Sequence, residues 1–201
     1  MSAPAAASTD VRQHILDAAH PLLSSRGFTA VGLAEILAVA GVPKGSFYHY
    51  FGSKEAFGEA VLEDYFTGYL ARMDALLARP GTAARRLLGY FDDWRESQLD
   101  DTARGRCLVV KLGAEVCDLS ESMRAALERG TRGTIERLAR CLEAGGADGS
   151  WPVIPDAQEV AASLYQSWLG AGLLARIQRD RAPLDSAMAG TRLLLGLKPD
   201  A

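Results

Sequence analysis

No run of about eighteen apolar residues occurs in the 201-residue chain, so no membrane-spanning helix is expected. Cysteine is scarce. The three residues, at 107, 117 and 141, are odd in number and lack metal-type spacing, which points away from a disulfide framework or a zinc site. Histidine is equally scarce, and His14, His20 and His49 all fall in the first quarter, far in sequence from the cysteines. A nucleophilic cysteine normally needs a base close by. Phosphate-loop, metal-cluster and paired-carboxylate motifs are also missing, so no enzyme is expected and no cofactor is called for. Hairpin signals and internal repeats are absent as well. Residues 1–8 are small and alanine-rich but lack a basic segment and a long apolar core. They read as a disordered tail, not a signal peptide. A soluble, cytoplasmic protein with reduced thiols is the expectation. Positive charge is short too: the net charge is −3, and residues 1–60 carry four cations (Arg12, Arg26, Lys44, Lys54) against five anions. Taken alone, that balance argues against a nucleic-acid partner.

What the chain does contain is helical patterning from end to end, with 48% hydrophobic residues to supply a core. Apolar spacing predicts helices over about Thr9 to Ser25, Leu33 to Ala40, Ser53 to Ala78 and Thr82 to Leu99. Further helices are predicted over about Cys107 to Val116, Asp118 to Ala144, Asp156 to Asp180 and Leu184 to Leu197. Ser53 is the expected cap of the fourth helix, and Asp118 with Glu121 has capping-box spacing. Pro21 interrupts the first helix and is expected to kink it. Gly145, Gly146 and Gly149 are expected to form a loop with Trp151. The fold class is all-α. A helix-turn-helix domain over 9–55 is expected, joined by the long fourth helix to a helical regulatory and dimerisation domain over 56–201.

The densest signal is Ala40-Gly41-Val42-Pro43-Lys44-Gly45-Ser46-Phe47-Tyr48-His49-Tyr50-Phe51-Gly52-Ser53-Lys54-Glu55. Gly41 can take the positive φ of a tight interhelical turn, and Pro43 pre-sets the next helix start. Phe47 and Phe51, four apart, share a buried face. A helix of roughly seven residues is unstable alone and must be held by packing. Its other face, with Lys44, Ser46, Tyr48, His49 and Tyr50, combines cations, hydroxyls and amphipathic aromatics. Those groups suit a phosphate backbone and base edges, so duplex DNA is the expected partner. With so few cations, a modest salt dependence is expected, helped by backbone N–H groups at helix starts.

From about Val11 to Phe66 the chain resembles the DNA-binding domain of TetR-family transcriptional regulators. The resemblance implies that Lys44, Gly45, Ser46, Tyr48, His49 and Tyr50 face DNA, in a palindromic operator, and that Lys54 contacts phosphate. Gly32 and Leu33 stand where many members carry Thr at the second helix start, and a backbone N–H is the available substitute.

A second stretch, Arg104-Gly105-Arg106-Cys107-Leu108 through Lys111-Leu112 to Ala114-Glu115-Val116-Cys117-Asp118-Leu119-Ser120-Glu121, surrounds Cys107 with cations near a helix start. Both features favour a thiolate. Cys117 lies between Glu115 and Asp118, which favour the neutral thiol, and Cys141 falls on an apolar stripe as a core thiol. This run is similar to that of the N-ethylmaleimide-responsive repressors within the family, which implies that Cys107 senses electrophiles or oxidants, with Cys117 second in line. The implied signals are quinones, reactive aldehydes or hypochlorous acid, and the implied targets are detoxification genes. Arg106 stands where that group has a small residue. Acrylate-responsive regulators share the Gly-Ser-Phe-Tyr-His-Tyr-Phe run, so the same fold could instead answer a reversible small-molecule inducer, with Arg106 or Lys111 pairing a carboxylate.

The last two helices are unusually apolar. Val160, Leu164, Trp168, Ala171, Leu174 and Ile177 line one, and Leu184, Met188, Leu194 and Leu195 the other, with Gly170 and Gly172 allowing close approach. They read as a self-complementary homodimer interface, a four-helix bundle across a two-fold axis, centred on Leu164, Trp168, Gly172 and Leu195.

Overall fold

The computed structural model describes residues 5–99 and 107–198. Among them are nine helices and no strand. They are α1 (Ala5–Arg26), α2 (Leu33–Ala40), α3 (Lys44–Phe51), α4 (Lys54–Leu77), α5 (Ala83–Leu99), α6 (Leu108–Cys117), α7 (Glu121–Asp148), α8 (Ala157–Gln178) and α9 (Ala182–Leu194). None of the described helices is long and apolar enough to cross a membrane. Residues 1–4 of the expected tail lie outside the described residues, but α1 already begins at Ala5 and continues through Pro21.

Two compact units make up the chain: the described residues of Met1–Thr67 with Asp100–Glu128, and those of Gly68–Leu99 with Arg129–Ala201. α4 and α7 each continue from one unit into the other. A boundary near residue 55 was the expectation. Instead α6 and the start of α7 join the helix-turn-helix, because side chains from both reach it. A Cβ on Gly58 of α4 would stand 2.4 Å from Met123 Sδ and 2.7 Å from the Phe28 ring, so the elements meet there without room for a side chain.

The core of the first unit runs through Ile15, Ala19 and Leu23 of α1, Ile36 of α2, Phe47 and Phe51 of α3, and Phe57 and Leu62 of α4, all buried. His14 Nε2 donates to the Ala40 carbonyl at 2.9 Å, tying α1 to the end of α2. Gly41 then turns the chain at φ 64°. The Ser53 hydroxyl accepts from Ala56 N–H at 3.0 Å, as its expected capping role requires. α7 is capped differently from the expectation. Ser120 Oγ receives Met123 N–H at 3.4 Å, while Asp118 terminates α6, because the Ser120 N–H folds back on the Val116 carbonyl first.

In the second unit, Trp168 stacks on Phe91 with ring centroids 4.5 Å apart and meets the edge of Trp94 at 5.6 Å. Leu164, Trp168, Gly172 and Leu195, expected at a subunit interface, are all buried inside this protomer core. The large apolar residues left exposed on α8 and α9 are Leu173, Leu174, Ile177, Leu193 and Leu194. Both stripes are real, but the aromatics of α5 cover the one that carries the tryptophan. The Gly145 and Gly146 loop is also corrected: α7 runs through both to Asp148. A Cβ on Gly145 would lie 2.0 Å from Trp151 Cζ2, so the missing side chain is the seat of the indole, which donates to the Leu142 carbonyl at 2.9 Å.

Candidate nucleic-acid interface and sensor helix

α3 is a two-turn helix held from behind. Phe47 packs against Phe51 and Phe57 with ring centroids 5.2 Å from each, and both Phe47 and Phe51 are buried. The opposite face carries Lys44, Gly45, Tyr48 and His49 exposed, with Ser46 and Tyr50 half-buried at its margins. Of the six residues expected to face DNA, four are therefore open to solvent and two are partly covered. Lys44 Nζ lies 5.7 Å over the Tyr48 ring, and the His49 and Tyr50 rings meet at 4.9 Å, so the charged and aromatic groups hold one another in place. A helix of this length, about 12 Å, fits within a major groove.

Lys54 is placed otherwise than expected. Its ammonium donates to the Phe28 carbonyl at 3.0 Å and sits 4.7 Å over the Phe28 ring, an inward role at the α1–α2 turn. Arg26 is paired with Glu35. Arg12, which sequence reasoning left without a role, stacks 5.4 Å over Phe51 at the C-terminal end of α3. Spacing on α1 gave no sign of that neighbour, 39 residues away in sequence.

Cys107 is the N-cap residue of α6, and its carbonyl accepts from Lys111 N–H at 3.2 Å. Its side chain is buried, 4% exposed, beside the buried α6 residues Leu108, Leu112 and Val116. Arg104, Gly105 and Arg106 lie outside the described residues. Cys117, at the far end of the same helix, is exposed. Cys141 belongs to the second unit, where burial pushes its thiol up to about 11, against an opposing pull from Arg86. It is a neutral, unreactive thiol at physiological pH. Lys111, the candidate partner for a carboxylate ligand, stands one turn from Glu115 and helps to hold that carboxyl charged. Glu115 itself was missed as a functional residue by sequence reasoning: its partners are Phe28 and Thr29, 87 and 86 residues away.

A short aromatic helix projected by a three-helix core, in a chain that also carries a second helical unit, defines a helix-turn-helix DNA-binding regulator. Residues 15–61 match the bacterial regulatory proteins, tetR family, and residues 83–191 match the tetracyclin repressor-like, C-terminal domain. The chain belongs to the tetR family of bacterial regulatory proteins. It is 43% identical to the HTH-type transcriptional repressor NemR of Escherichia coli K12 over 92% of this chain and 94% of the relative. The HTH-type transcriptional repressor DhaR of a Mycobacterium species is 34% identical over 89% of each. The crystal structure of reduced E. coli NemR superposes with a TM-score of 0.83, covering 90% of this chain and 94% of that one. These relatives are regulators, and the fold is not that of an enzyme.

Proposed function

We propose that this protein is a homodimeric transcriptional repressor that grips a palindromic operator and lets go when Cys107 is modified by an electrophile or oxidant, so relieving repression of detoxification genes. One observation carries the reading: the buried Cys107 caps a helix that belongs to the same compact unit as the recognition helix α3. The similarity to NemR, a repressor by name, supports the repressor role.

Burial gives the thiol its leverage. With N-ethylmaleimide, the Cys107 sulfur adds across the carbon–carbon double bond and the thiol proton ends on the neighbouring carbon, with nothing released. With hypochlorous acid, the sulfur takes up oxygen as sulfenic acid while chloride and a proton leave. An adduct at a fully packed position has no space, so it disfavours the packed arrangement of α6. That difference between conformations is what a switch requires. An adduct on the exposed Cys117 clashes with nothing and carries no such penalty.

The dimer is formed through the exposed apolar face of Leu173, Leu174, Ile177, Leu193 and Leu194. Two copies of α3 then read two half-sites about one helical turn apart. The test is to select duplexes from a random library with the unmodified protein. A palindromic consensus is expected. Binding should be lost on treatment with N-ethylmaleimide, survive in Cys107→Ser, and recover after hypochlorous acid only when a thiol reductant is added. Release that dialysis alone reverses would instead identify a reversible inducer.

A further inference from the structure

Phe28 and Thr29 form the turn between α1 and α2, and the turn is held from three sides. Glu115, in the last turns of α6, accepts Phe28 N–H on Oε2 at 3.1 Å and Thr29 N–H on Oε1 at 2.5 Å. Lys54, the first residue of α4, donates to the Phe28 carbonyl at 3.0 Å. Gly58, one turn further along α4, leaves room for the Phe28 ring. Gly27 makes the approach of the carboxylate possible. Its φ is +94°, and a Cβ there would stand 2.8 Å from Glu115 Oε2, so both the conformation and the space call for glycine. The turn leads at once into α2, whose far end turns through Gly41 into α3.

We propose that Glu115 is a positioning residue for DNA binding, a carboxylate latch that fixes α6 to the α1–α2 turn and passes any displacement of α6 to the recognition helix. The proposal rests on reading the first unit as the DNA reader and Cys107 as the sensor. Cys107 and Glu115 stand at opposite ends of one ten-residue helix that buries Leu108, Leu112 and Val116 between them. Such a helix, about 15 Å long, moves as a rigid rod. A shift at its cap therefore arrives at Glu115, where two directional hydrogen bonds either follow or break.

Anisotropy titration of a duplex selected by the wild-type protein tests this, before and after N-ethylmaleimide, with Glu115→Ala and Glu115→Gln. Glu115→Ala should bind about tenfold more weakly than wild type, with unchanged circular dichroism and sedimentation. Amide exchange should quicken at Phe28 and Thr29 while Phe47 stays protected. Glu115→Gln, which keeps one acceptor oxygen, should fall between the two. The factor by which N-ethylmaleimide weakens binding should shrink toward one in Glu115→Ala. An affinity equal to wild type in either variant, or an unchanged release factor where the wild type does respond to N-ethylmaleimide, overturns the latch. If Glu115→Ala does not fold, Glu115→Gln alone decides on the same readings. If wild type ignores N-ethylmaleimide while Glu115→Ala still binds weakly, the sensor reading falls and the positioning role stands. If the wild type selects no duplex, both fall together.

Discussion

The indole N–H of Trp168 donates to Thr191 Oγ1 at 2.9 Å, and both residues are buried. This bond ties α8 to α9 inside the protomer, and the buried indole presents no surface to a partner. The hydroxyl is itself anchored, donating to the Ala187 carbonyl at 2.8 Å.

Two substitutions on these helices should therefore fail differently. Trp168→Glu leaves a charge unpaired in the protomer core and should cost about 3–5 kcal/mol, giving an unfolded or insoluble chain. Ile177→Glu, on the exposed apolar face, should leave a folded but monomeric protein. Thermal unfolding paired with sedimentation velocity separates the two outcomes. A dimeric Ile177→Glu at micromolar concentration would move the subunit interface elsewhere.

On the DNA side, His49→Ala should lose discrimination between selected and random duplexes while keeping the fold, since its ring is exposed on the reading face. Lys44→Ala should weaken all sequences alike and reduce the salt slope by about one. Lys54→Ala should leave the salt slope unchanged, because the ammonium is held on the Phe28 carbonyl. Titrations at three salt concentrations distinguish the two lysines.

Thiol labelling should proceed in three phases. Cys117 is exposed and should react with N-ethylmaleimide first, Cys107 later, and Cys141 last, its thiol raised to about 11 by burial. Loss of DNA binding should follow the second phase, not the first. Mass spectrometry of quenched time points beside anisotropy checks the order. Release that tracks Cys117 would reassign the sensor.

Acid should erase the contribution of Glu115. Burial opposes its charge, but hydrogen bonds from Thr29 and Phe28 outweigh that and hold the carboxyl below its ordinary value of 4.5. A lowered folded value means stability present above the ordinary value and lost as pH falls through the lowered one. The gap in unfolding free energy between wild type and Glu115→Gln should thus be full at neutral pH, begin to close as pH falls below the ordinary value, and vanish once it has fallen through the lowered one. Urea melts across that range measure it.

Gly145→Ala tests the seat of Trp151. The added methyl would overlap the indole, and overpacking of this kind costs about 1–3 kcal/mol. A melting temperature equal to wild type would mean that the α7 terminus and Trp151 part freely.

The reading helix could be found without coordinates because everything that makes it lies within sixteen consecutive residues. Gly41 sets the turn, Pro43 the start, and the i, i+4 pair of Phe47 and Phe51 the buried side, so chain geometry alone leaves Lys44, Tyr48 and His49 outside. Helix existence followed in the same way, from local periodicity. What only packing decided involves partners distant in sequence. Periodicity gave α8 one apolar stripe and could not say which of its residues would be covered, as Trp168 is by Phe91 and Trp94, and which, like Leu174 and Ile177, would stay bare. It gave Lys54 a charge but not the Phe28 carbonyl that claims it. It set Cys107 and Cys117 on one helix, and only the docking of that helix buried the first and exposed the second. Glu115 belongs to the same class. A carboxylate gains two main-chain donors 86 and 87 residues away only after α6 has found its place, and no spacing in the chain encodes that meeting.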